Sequence, residues 1–126
     1  MSTVSYTDYP EPVAGGGVRR LVWTNLQNGD DGQWYALTGA KYPDKSVHVY
    51  GTFGSGGMLV IEGSNQFNTF DNYVTLMDSF GNNLSFAAAG LKEINQNTFA
   101  IRPRVIGGDA TTSLTVVICM RREIGQ

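Results

Sequence analysis

The sequence predicts an all-β domain built as two antiparallel sheets packed face to face, jelly-roll-like, with an immunoglobulin-like sandwich as the alternative. Three observations predict it. Four stretches, VRRLVWTN, SVHVYGTF, MLVIEG and TFAIRPRV, alternate with the period of two that gives a strand one buried face, and SLTVVICMRR is strand-like in composition. Sixteen glycines against four prolines suit short strands joined by tight turns. No stretch carries apolar residues at helical spacing: Ala87-Ala88-Ala89 is cut off at once by Gly90. A sheet face must be covered, and with no helix to do it a second sheet is the economical cover.

Taken in order, residues 1–17 are expected to be a flexible arm outside a single β-sandwich domain spanning 18–126. Pro10 and Pro12 favour extended backbone, and Gly15-Gly16-Gly17 makes a joint. Tyr6, Tyr9 and Pro10 are candidate contact residues, because a purely solvating tail has little use for two aromatics. Val18 to Asn25 is a strand, Asn28 to Gly32 a turn, and QWYAL a short strand before the loop GAKYPDK. Ser46 to Gly63 carries the clearest pattern. Val47 and Val49 alternate with His48 and Tyr50, three glycines follow at 54, 56 and 57, and Met58 to Gly63 returns, which predicts a β-hairpin.

Further strands are expected over YVTLMD, around Leu84 to Ala87, over Leu91 to Ile94, over Thr98 to Val105 and over Ser113 to Arg122, eight or nine in all. Pro103 cannot donate to a ladder, so its strand is expected at an edge or beside a bulge, with Arg102 and Arg104 on its polar side. Sequence cannot order the strands.

Composition narrows function chiefly by exclusion. A net charge of −2 argues against nucleic acid as the main partner, and no apolar run reaches the about twenty residues of a membrane-spanning helix. Cys119, the one cysteine, allows no internal disulfide and sits in a strand as a packed or half-buried thiol. The first residues lack the basic and apolar regions of a signal peptide, so synthesis in the cytoplasm is expected. His48 is the one histidine and lies opposite the apolar face, as a surface strand residue does. Asn28 to Gly32 lacks calcium-loop spacing, and GTFGSGG lacks both the lysine and the following helix of a phosphate loop. These observations point to a non-catalytic protein with no metal and no cofactor.

Two resemblances bear on function. The run IEGSN followed by an aromatic and VTL resembles a turn of discoidin-like and other carbohydrate-binding sandwiches, with Trp23, Trp34, Tyr35 and Tyr50 as the candidate stacking platform. More extensively, VRRLVWTNLQNGD, KSVHVYGTFGSGGMLVIEGSN, YVTLMDSFGNNLSFAAAGLKEI and FAIRPRVIGGDATTSLTVVICMRR resemble a family of small tailed-phage structural proteins of the head decoration, or cement, type. This likeness runs from Val18 to Arg122. Gln66-Phe67-Asn68 stands where related sequences often carry Asp-Gly, and Tyr73 where a tryptophan is frequent, which weakens the case for a ligand at that turn.

The resemblance implies a virion protein on the capsid exterior, with the major capsid protein and further copies of itself, as dimer or trimer, for partners. It implies no catalytic residues. Tyr6, Tyr9, Pro10, Arg102 and Arg104 are the candidate interface residues. A tail, neck or fibre role is the remaining phage alternative.

Overall fold

The structure, a computed structural model, describes residues 2–10, 17–37, 42–66 and 69–121. It is an all-β sandwich of two sheets, with no helix among the described residues. One sheet has the order β10 (Gly90–Ile94), β6 (Asp44–Thr52), β12 (Ser113–Arg121), β3 (Val18–Leu26) and β2 (Thr7–Pro10). The other runs β1 (Thr3–Val4), β4 (Asp31–Gly32), β11 (Ala100–Ile106), β7 (Met58–Ser64) and β8 (Val74–Thr75), with β5 (Tyr35–Ala36) also on β11 and β9 (Ser85–Phe86) also on β7. Every pairing is antiparallel except β1 with β4. From β3 to β12 the chain changes sheet at most connections, the jelly-roll-like manner of winding.

The core lies between the sheets and is filled by alternate side chains of their strands. Leu21, Trp23, Val47, Val49, Val116 and Ile118 come from the five-stranded sheet, and Leu59, Ile61, Ile101 and Val105 from the other. Each such side chain, removed from water, contributes about 1.5–3 kcal/mol before the entropy of ordering it is counted. β12 twists against β3 through a bulge: Leu114 opposes Leu26 and Val116 opposes Trp23, so Thr24 and Asn25 share one partner residue. Asn25 takes φ 56° there, a conformation asparagine tolerates better than most residues.

Three expectations need correction. The predicted hairpin over 46–63 is not one: β6 and β7 lie in different sheets, and 53–57 is a corner between them. The glycines do permit the reversal, since Gly54 and Gly56 have φ 73° and 72°. Its direction is set from far along the chain. Thr112 Oγ1 donates to the Phe53 carbonyl at 2.8 Å, and the Ser55 N–H donates to Asp109 Oδ2 at 2.8 Å.

Of the two settings expected for Pro103, an edge or the side of a bulge, the first is not found: it lies inside a strand with partners on both sides, next to an irregular stretch where three steps along β11 face four from Asp31 to Tyr35. It faces Ile61, whose own N–H and C=O bond to Leu84 and Leu76 on the far side, so the Pro103 nitrogen turns toward β4 and β5. The ladder is interrupted there between Asp31 and Tyr35, and Gly32 lies directly against the Pro103 ring.

The segment read as a free arm is part of both sheets over residues 2–10. Thr3 and Val4 pair with Asp31 and Gly32, and Thr7 to Pro10 pair with Arg19 to Val22. Buried Asp30 anchors its start, accepting the Ser2 N–H at 2.8 Å and the Gln27 N–H at 2.9 Å. Residues 11–16, including Pro12 and the first two glycines of the joint, lie outside the described residues.

Candidate contact face

The outer face of the seven-stranded sheet gathers the most interacting polar and aromatic side chains. Alternation along β11 sends Ile101, Pro103 and Val105 inward and Arg102, Arg104 and Ile106 outward. Register places Glu62 of β7 beside Arg102, Val60 beside Arg104 and Met58 beside Ile106. On the other flank Asp31 stands opposite Arg104, and Trp34 turns outward because its neighbour Tyr35 fills the core. Beyond β7, Thr75 pairs with Glu62 and carries Tyr73, two residues earlier, onto the same face.

Arg102 is the hub. Its Nε donates to Glu62 Oε1 at 2.9 Å and its Nη1 to Asp31 Oδ2 at 3.3 Å. Its guanidinium carbon lies 4.5 Å from the Trp34 ring centre and 4.8 Å from that of Tyr73, inside the range of a cation–π contact. Only 11% of its side chain and 6% of that of Glu62 remain exposed, so this is a dry, charge-assisted pair. Arg104 sits at the rim, 39% exposed, donating to Glu62 Oε2 at 3.4 Å and to the Tyr73 hydroxyl at 3.0 Å. Partial burial opposes the charge of Arg104, but Glu62 and the Tyr73 hydroxyl outweigh it, and its pKa is raised.

Phe70 closes the cluster against the Trp34 ring, centroids 5.0 Å apart. Thr3 Oγ1 donates to Asp31 Oδ1 at 2.7 Å, which ties the N-terminal strand into the same network. Two arginines are balanced by Glu62 and Asp31, so the face is neutral at its centre. Exposed Met58 and Ile106 extend it as an apolar margin.

The five candidate contact residues are dispersed. Arg102 and Arg104 are brought together here. Tyr6 is half-buried, its ring 5.6 Å from Trp23 and 5.5 Å from Tyr35, so it clamps the chain's own N-terminal strand to the core. Burial, followed by Tyr35 and Asp8, raises its hydroxyl pKa. Tyr9 is exposed at the edge of the five-stranded sheet, under the Arg20 guanidinium at 5.5 Å. Pro10 pairs through its backbone with Arg19, close to Tyr9 and remote from the arginine cluster.

Sequence reasoning missed Glu62, Phe70 and Tyr73 as members of one cluster with Trp34. The available signal was a glutamate in an otherwise apolar strand opposite a strand with two arginines, and it needs the β7–β11 register to be recognised. Of the four aromatics considered as a sugar platform, Trp23 and Tyr35 belong to the core. Trp34 is covered by Arg102 and Phe70. Tyr50 is exposed on the opposite sheet, beside His48 with ring centres 5.0 Å apart.

No protein-family model and no curated protein sequence matches the chain. Among solved structures it is similar to the SPBc2 prophage-derived protein YomS, with a TM-score of 0.60 at 11% identity over 86% of this chain and 97% of that one. A second likeness, to FeII HppE, has a TM-score of 0.37 at 5% identity over 91% of this chain and 56% of that one, and carries no argument.

Proposed function

We propose that the protein is a non-catalytic structural component of a tailed-phage particle, a decoration protein that binds the outside of the assembled head between capsomers and stabilises it. The observation that supports the phage reading is the shared sandwich with a prophage-derived protein across nearly all of that chain's length. The proposed partners are the major capsid protein and further copies of this chain.

The contact surface in this reading is the outer face of the seven-stranded sheet. Its side chains are held by ion pairs and ring stacking before any partner arrives, so docking costs little of the side-chain entropy that flexible arginines lose. Arginine and aromatic residues are also the types that carry binding energy at interfaces. A neutral centre with an apolar margin fits a protein surface better than a polyanion. Because such a protein binds assembled shells and not free subunits, it stabilises them by mass action.

A carbohydrate-binding role is less favoured, because a sugar needs a free ring face and Arg102 already covers Trp34 and Tyr73. The test is size-exclusion chromatography with light scattering of the chain, alone and mixed with capsid shells. Co-elution at fixed stoichiometry with a raised shell melting temperature is expected. Arg104→Glu, at the exposed rim, is expected to weaken co-elution without unfolding the domain. A chain that ignores intact shells would overturn the decoration role.

A further inference from the structure

At the end of the sandwich where β5 leaves the sheet and the chain enters β6, a pocket of about 370 Å³ opens between segments that are distant in sequence. Its walls include Leu37, Tyr42, Pro43 and Phe99, and its polar lining includes Lys45 and Asn97. This is separate from the arginine cluster.

Lys45 is unusual for its setting. It occupies an inward position of β6, in register with buried Ile94 and Met120, and is 2% exposed. Lysine is rarely buried to that degree without an anionic partner, since an unpaired charge in an apolar surround is costly. Its ammonium donates to the Tyr42 carbonyl at 3.2 Å and to Asn97 Oδ1, both neutral. Among the described residues the ion pairs involve Arg19, Arg102 and Arg104, and none reaches Lys45. An ammonium has three N–H donors, so among the described residues one remains without an acceptor. Burial lowers the pKa of Lys45, with the charge of Asp44 opposing.

We propose that this pocket binds a small organic monocarboxylate, its carboxylate accepting the remaining N–H of Lys45 and its short apolar tail lying against Leu37, Tyr42, Pro43 and Phe99. The carboxylate supplies an anionic acceptor bonded to the ammonium, which Asp44 does not provide, and the apolar walls select for a tail. Backbone and carboxamide oxygens at Tyr42 and Asn97 hold the ammonium in place, so the charge is positioned before the ligand enters. The proposal is independent of head binding.

The test is a titration of the full chain with sodium acetate, butyrate and benzoate at constant ionic strength, followed by amide correlation spectra, with butanol as the neutral control. Saturable shifts are expected for the Asn97 side-chain amide and the backbone amides of residues 42, 44 and 45, with benzoate and butyrate binding more tightly than acetate. Lys45→Met, close in volume and compatible with an inward position, is expected to weaken butyrate by at least about tenfold, the loss of one charge-assisted hydrogen bond. Absence of saturable shifts would overturn the proposal, as would equal affinity in folded Lys45→Met. Should that variant fail to fold, wild-type chain that binds butanol as well as butyrate overturns it equally.

Discussion

Glu62→Gln tests whether the arginine cluster is a built feature of the fold. The substitution keeps the size of the side chain but removes the charge, and turns an amide N–H₂ toward one of two arginine donors. The Arg102 pair is almost dry, at 11% and 6% side-chain exposure, and removing one partner of a buried pair costs about 3–5 kcal/mol. Arg102 retains Asp31 at 3.3 Å and its two ring contacts, which favours the lower end of that range. Arg104 is 39% exposed, so solvent screening holds its contribution below about 1 kcal/mol.

The expected loss is therefore about 3 kcal/mol, a large part of the 5–15 kcal/mol typical of a whole domain. It should lower Tm by about 10 °C, at roughly 3–4 °C per kcal/mol for a chain of this size. Urea denaturation followed by tryptophan fluorescence measures it, with the m value unchanged. Replacing both partners, as Glu62→Leu with Arg102→Met, is expected to recover most of the loss, since neither charge is then left buried alone. A Glu62→Gln cost under about 1 kcal/mol would refute the reasoning, and so would a double variant no more stable than the single.

Gly32→Ala is expected to destabilise by about 1–3 kcal/mol in the same denaturation assay, because its Cβ would stand 2.6 Å from Pro103 Cδ and 2.8 Å from Trp23 Nε1. Tyr6→Ala removes half-buried edge contacts to Trp23 and Tyr35 and should cost about 2 kcal/mol; limited proteolysis should then cut residues 2–10 faster while the remaining domain persists. Asp109 accepts from the Thr111 hydroxyl first, then from the Ser55 and Thr111 N–H groups, and these bonds hold its pKa below the ordinary carboxylate value. A depressed carboxyl pKa stabilises the fold above its unfolded value, about 3.9, and that stability is lost as pH falls through the folded value. Asp109→Asn should therefore flatten the acid limb of a stability–pH curve, and an unchanged limb would show that the corner does not depend on that charge.

The strands themselves were legible because a strand's burial is written locally. Val47, Val49, Val116 and Ile118 fall on one side of a two-residue period whatever they pair with, and all four lie in the core. Pairing is another matter. The five residues from Phe53 to Gly57 would close a hairpin as readily as a sandwich corner, and what separates the two is the pair of bonds from Asp109 and Thr112, more than fifty residues away. Likewise Arg102 and Arg104 were visible as neighbours on a strand, but their glutamate lies forty residues back for Arg102, and their aromatic cover comes from two other segments.

Lys45 shows the same limit from the other side. In the sequence it is one more charge at the edge of a loop, and the alternation that places Val47 and Val49 inward also places Lys45 inward. Nothing local reveals that its ammonium ends among neutral groups. By itself the sequence determined the fold class and, in its most regular strands, which side chains alternate, because these follow from backbone geometry over a few residues. The tertiary structure decided which strands meet, where Pro103 falls in the sheet, and which charges are paired or left single, because those depend on groups brought together only when the two sheets close.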